Sequence, residues 1–413
     1  MLFKRSLLAL IVCLAAFQVM AADWPQWRGP NRDGLSTEKG LLQQWPKDGP
    51  KLLWSASGLG SGYSSIVVAG DKIFTMGDRD KKMWLIALNR ADGNELWAAE
   101  VGKPWSDGPR CTPTVHDGLV YAIGPHGDLL CAEAANGKEV WRKNLGKDFN
   151  GKMMSGWGFS ESPLVDGDKL LCTPGGKDAT LVALERKTGE LIWKCPVPGG
   201  DGAAYSSIVI SNGAGVKQYV QLLGKGIVGV GADGKFLWRY DRVCNGTANI
   251  PTPIIRGDHV FCSTGYGKGA ALLKLTKDSS GSVKAEEVYF IAAKDFQNHH
   301  GGMILIGDHV YAGSGHNAGA PACVELMTGK LAWPQERGPG TGSAAICFAD
   351  GHLYFRYQNG VMALIEANPK EYKLKGSFKI PDQRRPSWPH PVVLDGKLYL
   401  REQDKLLCYD VKK

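Results

Sequence analysis

The sequence is poor in the motifs that hold metals, haem or nucleic acid. It contains no Cys-x-x-Cys pair and no His-x-x-x-His pair, which excludes the usual spacings of structural zinc sites. It has no Cys-x-x-Cys-His segment, so covalent haem attachment is excluded. Basic residues form no run, and a formal net charge of +8 is small for 413 residues. We therefore expect no nucleic-acid partner.

Long apolar runs are also lacking, except at the N-terminus. Two basic residues precede an apolar run from Leu7 to Ala16, and Ala21 ends a stretch suited to signal-peptidase cleavage. The run is too short to span a bilayer, and Cys13 lacks the small preceding residue of a lipoprotein signal. We predict a signal peptide over residues 1–21 and one mature domain over residues 22–413. The mature protein is then periplasmic or secreted, with no membrane span and no lipid anchor.

What the chain does contain is a repeat. A short polar turn with a glycine recurs at intervals of about 46 residues, each time between two apolar runs. The glycines are Gly70, Gly118, Gly167, Gly213, Gly257, Gly307, Gly351 and Gly396. Such turns between alternating apolar residues predict β-hairpins, because glycine accepts the positive φ that the turn requires. Four short strands in each of eight units predict an all-β, eight-bladed β-propeller of four-stranded antiparallel blades.

A second periodic feature agrees with the first. Five units contain a glycine followed four residues later by tryptophan. The pairs are Gly93/Trp97, Gly137/Trp141, Gly189/Trp193, Gly234/Trp238 and Gly329/Trp333. We expect each glycine to turn the chain into the outermost strand and each indole to fill the gap between two blades. The units near Tyr289 and Phe378 keep an apolar strand there but lack the tryptophan.

The last unit contains only three predicted strands. The segment 51–56 near the start resembles the outer strands of the other units, so we predict that it completes the final blade. Such pairing of the two chain ends would remove a bare sheet edge. The alternative is a separate N-terminal strand on the surface.

Cysteines lie mainly within the predicted strands, where other units carry small apolar residues. We interpret most of them as buried small side chains. Outside the signal their number is odd, and export permits disulfides without defining any pairing.

Two segments carry a family resemblance. Residues Ala87–Trp97 and Ala183–Trp193 resemble the tryptophan-docking repeat Ala-x-Asp-x-x-Thr-Gly-x-x-x-Trp of the pyrroloquinoline quinone (PQQ) propellers. The segment Asp23–Pro30 looks like the opening of the exported PQQ-like propellers common in planctomycete-type bacteria. The resemblance covers nearly all of the mature chain and implies an eight-bladed propeller.

This superfamily implies two kinds of activity. Its quinoprotein dehydrogenases oxidise alcohols or sugars with PQQ and Ca²⁺, whereas the propeller lipoprotein of the outer-membrane barrel-assembly machinery is a scaffold. The present sequence lacks the adjacent Cys-Cys pair of many alcohol-oxidising quinoproteins and the lipid-attachment cysteine of the assembly lipoprotein. The docking motif is structural in every member, so the resemblance predicts the fold and leaves the chemistry open.

Loops that enter the innermost strands of a propeller form a funnel at one end of its channel, where ligands prefer to bind. We predict ligand contacts from the polar and aromatic residues of these loops. The candidates are Arg110, Trp157, Glu161, Tyr205, Asn249, His299, His300, Trp388 and His390. Catalytic residues are not assigned, although a histidine could act as a general base.

The quinoprotein resemblance implies further roles for some candidates. Glu161 and Asn249 would be oxygen ligands for Ca²⁺, and Arg110 would bind a cofactor carboxylate. Trp157 or Trp388 would stack on a flat ring. Against that chemistry, the funnel segments contain no aspartate to serve as the catalytic carboxylate.

Structural interpretations of the same residues remain open. Arg110 and Glu161 pair with each other in one alternative. In another, His299 and His300 belong to a packed turn and bond to backbone carbonyls. Tyr63 and Tyr205, each followed by two serines, are then repeat residues with no ligand contact.

Two functional hypotheses follow. The first is a monomeric binding or scaffold protein that holds a protein, peptide or glycan through its funnel or rim, with no cofactor assigned. The alternative is a PQQ- and Ca²⁺-dependent dehydrogenase of an alcohol or sugar. Hydrolysis or lysis of a polysaccharide is disfavoured, because no carboxylate pair supports it.

Overall fold

The computed structural model describes residues 23–333 and 335–413. The predicted signal peptide, residues 1–21, and Cys13 lie outside the described residues. Within that part of the chain, β1 to β32 form eight four-stranded sheets, and all pairings are antiparallel. The predicted eight-bladed all-β propeller is confirmed.

The first four blades follow the chain order. Blade 1 consists of β2 (Val67–Ala69), β3 (Lys72–Arg79), β4 (Lys82–Asn89) and β5 (Glu95–Gly102). Blade 2 consists of β6 (Thr114–His116), β7 (Leu119–Ile123), β8 (Asp128–Glu133) and β9 (Glu139–Asn144). Blade 3 consists of β10 (Leu164–Asp166), β11 (Lys169–Cys172), β12 (Leu181–Glu185) and β13 (Leu191–Cys195). Blade 4 consists of β14 (Val209–Ser211), β15 (Gln218–Leu223), β16 (Gly226–Gly231) and β17 (Phe236–Tyr240).

The other four blades complete the ring. Blade 5 consists of β18 (Ile254–Arg256), β19 (His259–Thr264), β20 (Gly269–Lys277) and β21 (Val283–Ile291). Blade 6 consists of β22 (Met303–Ile306), β23 (His309–Ser314), β24 (Ala320–Glu325) and β25 (Leu331–Trp333). Blade 7 consists of β26 (Ala344–Ala349), β27 (His352–Tyr357), β28 (Val361–Glu366) and β29 (Leu374–Lys379). Blade 8 consists of β30 (Val392–Leu394), β31 (Lys397–Glu402), β32 (Lys405–Asp410) and β1 (Lys51–Ala56).

The first strand of each blade lies beside the axis, because it contacts the first strands of its neighbours. The second and third strands are buried on both faces by the flanking sheets, whereas the fourth strands are largely exposed. Among residues 23–333 and 335–413, helix is limited to α1 (Leu145–Asp148) and a 3-10 turn at Gly213–Gly215. In the described part of the chain, no helix has the length and apolar character needed to cross a bilayer.

The eight predicted hairpin turns are present. Seven of their glycines have the expected positive φ, such as 60° at Gly167. Blade 4 differs, because its longer turn places the positive φ at Ala214 and Gly215 and leaves Gly213 without one.

Blade 8 joins the two ends of the chain. Strand β1 pairs antiparallel with β32, from Lys51 opposite Asp410 to Ala56 opposite Leu406. The predicted completion of the last blade by residues 51–56 is confirmed, and the alternative of a separate surface strand is wrong.

Outer-strand aromatic residues pack on glycines of the following blade, in what we call the docking pairs. A Cβ added at Gly189 would lie 2.8 Å from the Trp141 ring, so only glycine fits beneath the indole. The docking pairs are Trp97/Gly137, Trp141/Gly189, Trp193/Gly234, Tyr289/Gly329, Phe378/Gly49 and Trp54/Gly93. Tyr289 takes the place of a tryptophan and donates its hydroxyl to Leu326 O at 2.6 Å. The last two pairs, Phe378/Gly49 and Trp54/Gly93, form the same contact on the two sides of blade 8.

Two junctions depart from this pattern. Trp238 of blade 4 has no docking glycine, packs with the apolar residues of blade 5, and donates to Gln218 Oε1 at 2.5 Å. Beside it, the Arg242 guanidinium lies 3.6 Å from the centroid of the Phe290 ring. Trp333 of blade 6 donates instead to Asn368 O at 3.0 Å.

All nine cysteines of the described chain are free, and every one except Cys244 is buried. Burial raises the pKa of most of these thiols, for example to about 12 at Cys111. The interpretation of most cysteines as small buried side chains is therefore confirmed.

Residues 23–36 cross the axis and form what we call the N-terminal plug. Trp24 pairs with Val68 of blade 1, and Ser36 N donates to Phe348 O of blade 7 at 2.8 Å. Arg28 and Arg32 adopt positive φ of 60° and 59° and are buried. Their guanidinium groups donate to backbone carbonyls of the surrounding blades. The plug therefore closes the central channel.

Candidate functional site

A cavity of about 240 Å³ lies at the end of the axis where the loops enter the inner strands; we call it the axial cavity. Seven of the nine predicted site residues line it. They are Arg110, Trp157, Tyr205, His299, His300, Trp388 and His390. These residues come from five different loops, each directly before or near an inner strand. The axial cavity thus lies at the end of the propeller where the sequence predicted a funnel, and the seven residues share it.

The plug also contributes to the cavity. Trp27 and Arg28 line it, and the Trp27 indole lies 4.5 Å from the His390 imidazole, centroid to centroid. Trp27 Nε1 donates to Thr252 Oγ1 at 3.4 Å. Because Arg28 also lines a second cavity on the far side of the plug, the plug separates the two.

Nine aromatic rings, counting the histidines, line the cavity wall. The Tyr63 and Trp388 rings lie 4.5 Å apart, and His300 lies 4.8 Å from Trp388 in an edge contact. Trp157 and Tyr205 form another edge contact at 5.9 Å, with Trp157 at the mouth and 42% exposed. Such rings present flat apolar faces and keep polar edges for hydrogen bonds.

Three cavity histidines are held neutral by burial. Burial and the nearby His316 lower the pKa of His299 to about 4, and burial lowers that of His390 to about 3. Burial together with the neighbouring histidines keeps the pKa of His300 well below its ordinary range. His299 Nδ1 lies 2.8 Å from Ser343 Oγ and its Nε2 lies 3.3 Å from the Tyr266 hydroxyl. The alternative in which these imidazoles bond to backbone carbonyls does not hold for His299.

One ion pair lies in the cavity wall. Arg110 Nη2 is 2.7 Å from Asp107 Oδ2, and its Nη1 donates to Trp157 O at 3.1 Å. The alternative in which Arg110 pairs with Glu161 is therefore wrong. The expectation that the funnel holds no aspartate is also wrong, because Asp107 lines the cavity three residues before Arg110.

Glu161 does not reach the cavity. Its carboxylate accepts from Thr173 N at 2.7 Å and from Thr173 Oγ1 at 3.0 Å, inside the blade. Its neighbours Ser160 and Ser162 do line the cavity, because successive side chains of an extended segment point to opposite sides. Burial raises the pKa of Glu161 to about 8, against the lowering effect of those hydrogen bonds.

The Asn249 side chain also lies outside the axial cavity. It donates to Leu223 O at 3.0 Å and accepts from Asn245 N at 2.9 Å, so it fixes the loop before β18. Ala248 and Ile250 on either side of it line the cavity. Glu161 and Asn249 thus lie outside the cavity as loop-bracing residues, and the roles predicted for them as Ca²⁺ ligands do not fit this geometry.

A buried ion pair supports the loop that carries Trp388 and His390. Arg356 Nη2 lies 2.6 Å from Glu402 Oε2, and Arg356 Nη1 donates to Pro389 O at 2.8 Å. Ser387 Oγ donates to the same carboxylate at 2.5 Å. These contacts fix the position of the cavity wall from behind.

Sequence reasoning missed several lining residues. They are Trp27, Arg28, Tyr63, Asp107 and Tyr266. Tyr63 and Tyr205 were open to interpretation as repeat residues without ligand contact, and both line the cavity. The opening segment Asp23–Pro30 was recognised by its resemblance, but nothing in its composition indicated that it enters the channel.

The donor set around the cavity is unsuited to a tightly bound divalent cation. Across residues 23–333 and 335–413, no group of three or more His, Cys, Asp and Glu side chains has metal-binding geometry. Asp107, the carboxylate that lines the cavity, is already paired with Arg110. Ca²⁺ takes six to eight oxygen ligands, so the residues present do not fit PQQ–Ca²⁺ in this arrangement.

Comparison with known proteins gives a family match and more distant relatives. A family model described as outer membrane protein assembly factor BamB matches residues 81–335, which is more than half of the chain. Two curated relatives match over shorter regions. One is 1-butanol dehydrogenase (quinone) of Thauera butanivorans, 29% identical over 98 residues, which cover 24% of this chain and 15% of that protein. The other is quinohemoprotein alcohol dehydrogenase ADH IIB of Pseudomonas putida, 28% identical over 148 residues, which cover 32% and 20%.

Solved structures share the fold over nearly the whole chain. Quinohemoprotein alcohol dehydrogenase from Comamonas testosteroni has a TM-score of 0.65 and 14% identity, covering 94% of this chain and 80% of that one. A europium-containing methanol dehydrogenase has a TM-score of 0.66 and 12% identity, covering 92% and 89%. At such identities the likeness shows the fold alone.

Proposed function

Since the chain belongs to the family described as outer membrane protein assembly factor BamB, we propose that it is an exported binding protein whose axial cavity holds a ring of a glycan. The observation that carries this proposal is the aromatic lining of the axial cavity. A sugar ring has apolar faces that pack on aromatic side chains and hydroxyl groups that need hydrogen-bond partners. The cavity supplies both aromatic faces and hydrogen-bonding groups, since serine, threonine and histidine side chains lie among its aromatic rings.

Neutral histidines favour such a ligand over a cation. Each neutral imidazole offers one donor and one acceptor, which suits hydroxyl groups. The ion pair of Arg110 with Asp107 further provides one fixed cation and one fixed anion at the wall. The cavity is therefore equipped to orient a polar ring as well as to bury it.

Export belongs to the same proposal. The predicted signal peptide over residues 1–21 would deliver the protein to the periplasm or the medium, where glycans are accessible. Determination of the N-terminal residue of the protein purified from its native host tests this part. A mature chain that begins near Ala22 supports export, and a chain that keeps Met1 contradicts it.

A glycan array tests the binding function. The purified mature protein should bind a restricted set of oligosaccharides, and Trp388→Ala should weaken that binding at least tenfold by removing a stacking face. Trp105→Ala is the matched control, because Trp105 packs on His126 outside the cavity. Binding that survives Trp388→Ala, or no binding to any glycan, would overturn the proposal.

A second candidate is a quinone-dependent oxidoreductase acting on an alcohol or sugar. It is favoured by the local sequence matches to two quinone-dependent alcohol dehydrogenases. The positions of Glu161 and Asn249 argue against it, since neither side chain is available to a cation in the cavity. Equilibrium titration with PQQ and CaCl₂, followed by absorbance, separates the two candidates. Saturable binding with dye-linked oxidation of an alcohol would establish the oxidoreductase.

A further inference from the structure

Arg28 places a cation without a carboxylate partner at the floor of the axial cavity. Its side chain is buried, and its Nη2 donates to the carbonyl oxygens of Met303 and Asp33. Its Nε has no hydrogen-bond partner within the described chain. Burial lowers the pKa of Arg28 to about 10, so the group is still charged at neutral pH. Burying a cation without an ion pair costs free energy. The burial of Arg28 at the cavity floor therefore calls for an explanation.

Two imidazole nitrogens beside it are also unsatisfied. His300 Nε2 and His390 Nδ1 are buried and have no hydrogen-bond partner among the described residues. Gly302 lies between His390 and Arg28: a Cβ there would be 2.8 Å from His390 Cε1 and 3.5 Å from Arg28 Cζ. The missing side chain therefore leaves the guanidinium and His390 as close neighbours at the floor. Buried polar atoms without partners are rare and call for an explanation.

The other charges near the axis do not balance Arg28. Arg110 is paired with Asp107, and Arg356 is paired with Glu402. Asp33 is the acidic residue that acts most strongly on Arg28, yet it forms no ion pair with Arg28 in the part of the chain that the structure describes. Arg32, the second plug arginine, is likewise held by backbone carbonyls and not by a carboxylate. The floor of the cavity is thus electropositive.

We propose that this floor is an oxyanion subsite, formed by Arg28 with His300 and His390, which receives the acidic substituent of a sugar ring. The ligand class is then an acidic glycan: a uronate, or a sugar that carries a sulfate ester. A guanidinium binds either group through charge-assisted hydrogen bonds, and a neutral imidazole adds an N–H donor through the one ring nitrogen that carries its proton. The aromatic wall formed by Tyr63, Trp388 and Trp157 would take the faces of the ring. This inference rests on the proposed glycan-binding function and narrows it.

The first test uses the unmodified mature protein and three probes of one chain length. The probes are trigalacturonate, its trimethyl ester and a 6-O-sulfated galactotriose, titrated while tryptophan fluorescence is recorded. We expect at least tenfold tighter binding of one acidic probe than of the ester at low ionic strength, with the difference shrinking in salt. The tighter acidic probe identifies carboxylate or sulfate as the natural substituent. An ester that binds as tightly as both acids would overturn the oxyanion subsite and leave the glycan-binding function standing.

A pair of variants tests the assignment to Arg28. Arg28→Gln should abolish the preference for the acidic probe over the ester. Arg32→Gln is the matched control, because Arg32 belongs to the same plug and donates to the carbonyls of Ser162 and Pro163 but does not line the cavity. It should keep the preference. A preference that persists in Arg28→Gln would overturn the assignment.

Two further outcomes are decisive. If Arg28→Gln does not fold, the comparison of acid with ester in the unmodified protein still decides the inference. If none of the three probes binds while the glycan array yields a neutral ligand, the oxyanion subsite is wrong and the binding function stands. If neither experiment yields a ligand, both proposals fail together.

Discussion

At the perimeter of the propeller, the same contact recurs at most blade junctions, whereas at the axis the blades contribute different sets of groups to one cavity. The six docking pairs place an aromatic ring on a glycine of the next sheet. The axial cavity instead combines loops of different sequence with a plug that belongs to no blade. Repetition at the perimeter holds the wheel together, and variation at the axis supplies the chemistry. Loops carried on a rigid scaffold commonly divide the work in this way.

The largest expected effect is a loss of stability at the perimeter. Gly189→Ala should destabilise the protein by about 3 kcal/mol or more, because its Cβ would press on the Trp141 ring, and Trp141→Ala should cost about 3–5 kcal/mol. Urea unfolding followed by circular dichroism measures both. The matched control is Gly167→Ala in the same blade, which has a similar positive φ and open space around it. Equal losses at the two glycines would mean that backbone strain, and not docking, matters here.

The second prediction concerns pH, because Glu161, in a loop that leads to the axis, titrates near neutrality, whereas no group of the docking pairs does. The pKa of Glu161 is raised from its ordinary value of 4.5 to about 8 in the folded protein. Between pH 4.5 and pH 8, the folded state therefore binds more protons than the unfolded state. Its contribution to stability is complete below pH 4.5 and is lost as the pH rises towards 8, with a slope of at most about 1.4 kcal/mol per pH unit. Glu161→Gln should remove this slope in urea unfolding from pH 5 to 8. If the free energy of unfolding changed with pH in the same way in the unmodified protein and in Glu161→Gln, Glu161 would not be a buried, protonated acid.

The third prediction separates binding from stability. Trp388→Ala should lose at least tenfold in glycan affinity and only about 1–2 kcal/mol in stability, because Trp388 is half-buried at the cavity wall. Trp141→Ala should show the reverse, with unchanged affinity while folded. Titration and urea unfolding on the same preparations measure both quantities. Equal stability losses in the two variants would remove the distinction between perimeter and axis.

The smallest expected effect lies at the junction of blades 4 and 5, which has no docking glycine. Arg242 stacks on Phe290 and pairs with Glu287 at 2.8 Å, but its side chain is half exposed. Arg242→Gln should therefore cost about 0.5–1 kcal/mol. A thermal unfolding series with Trp238→Ala as reference checks this ranking. A loss as large as that of Trp238→Ala would show that the arginine replaces the docking contact.

The fold could be predicted closely because its signals are local and periodic. A turn glycine in each unit, together with an outer tryptophan in five of them, defines eight blades. The shortage of one strand in the last unit predicts the pairing of β1 with β32. The turn at Gly213 was placed correctly but its conformation was not, because an insertion moved the positive φ to Ala214 and Gly215. Periodicity fixes the position of a turn more firmly than its geometry.

The location of the axial cavity could be predicted from the sequence, but only some of its lining residues could. Loops before inner strands must converge at one end, and seven of the nine candidates line the axial cavity there. Glu161 and Asn249 were misassigned because an extended segment sends alternate side chains to opposite sides, and a shift of one residue decides which side chain reaches the cavity. The plug could not be predicted, since it occurs once and two of its arginines adopt a backbone conformation that non-glycine residues rarely take.

The pairing of β1 with β32 also sets an order of events during synthesis. The strand Lys51–Ala56 is synthesised long before its partner Lys405–Asp410. Until that partner has been made, Lys51–Ala56 has no neighbouring strand and the ring stays open. A premature stop before Lys405 would therefore leave Lys51–Ala56 without its sheet, and so expose the truncated product to degradation.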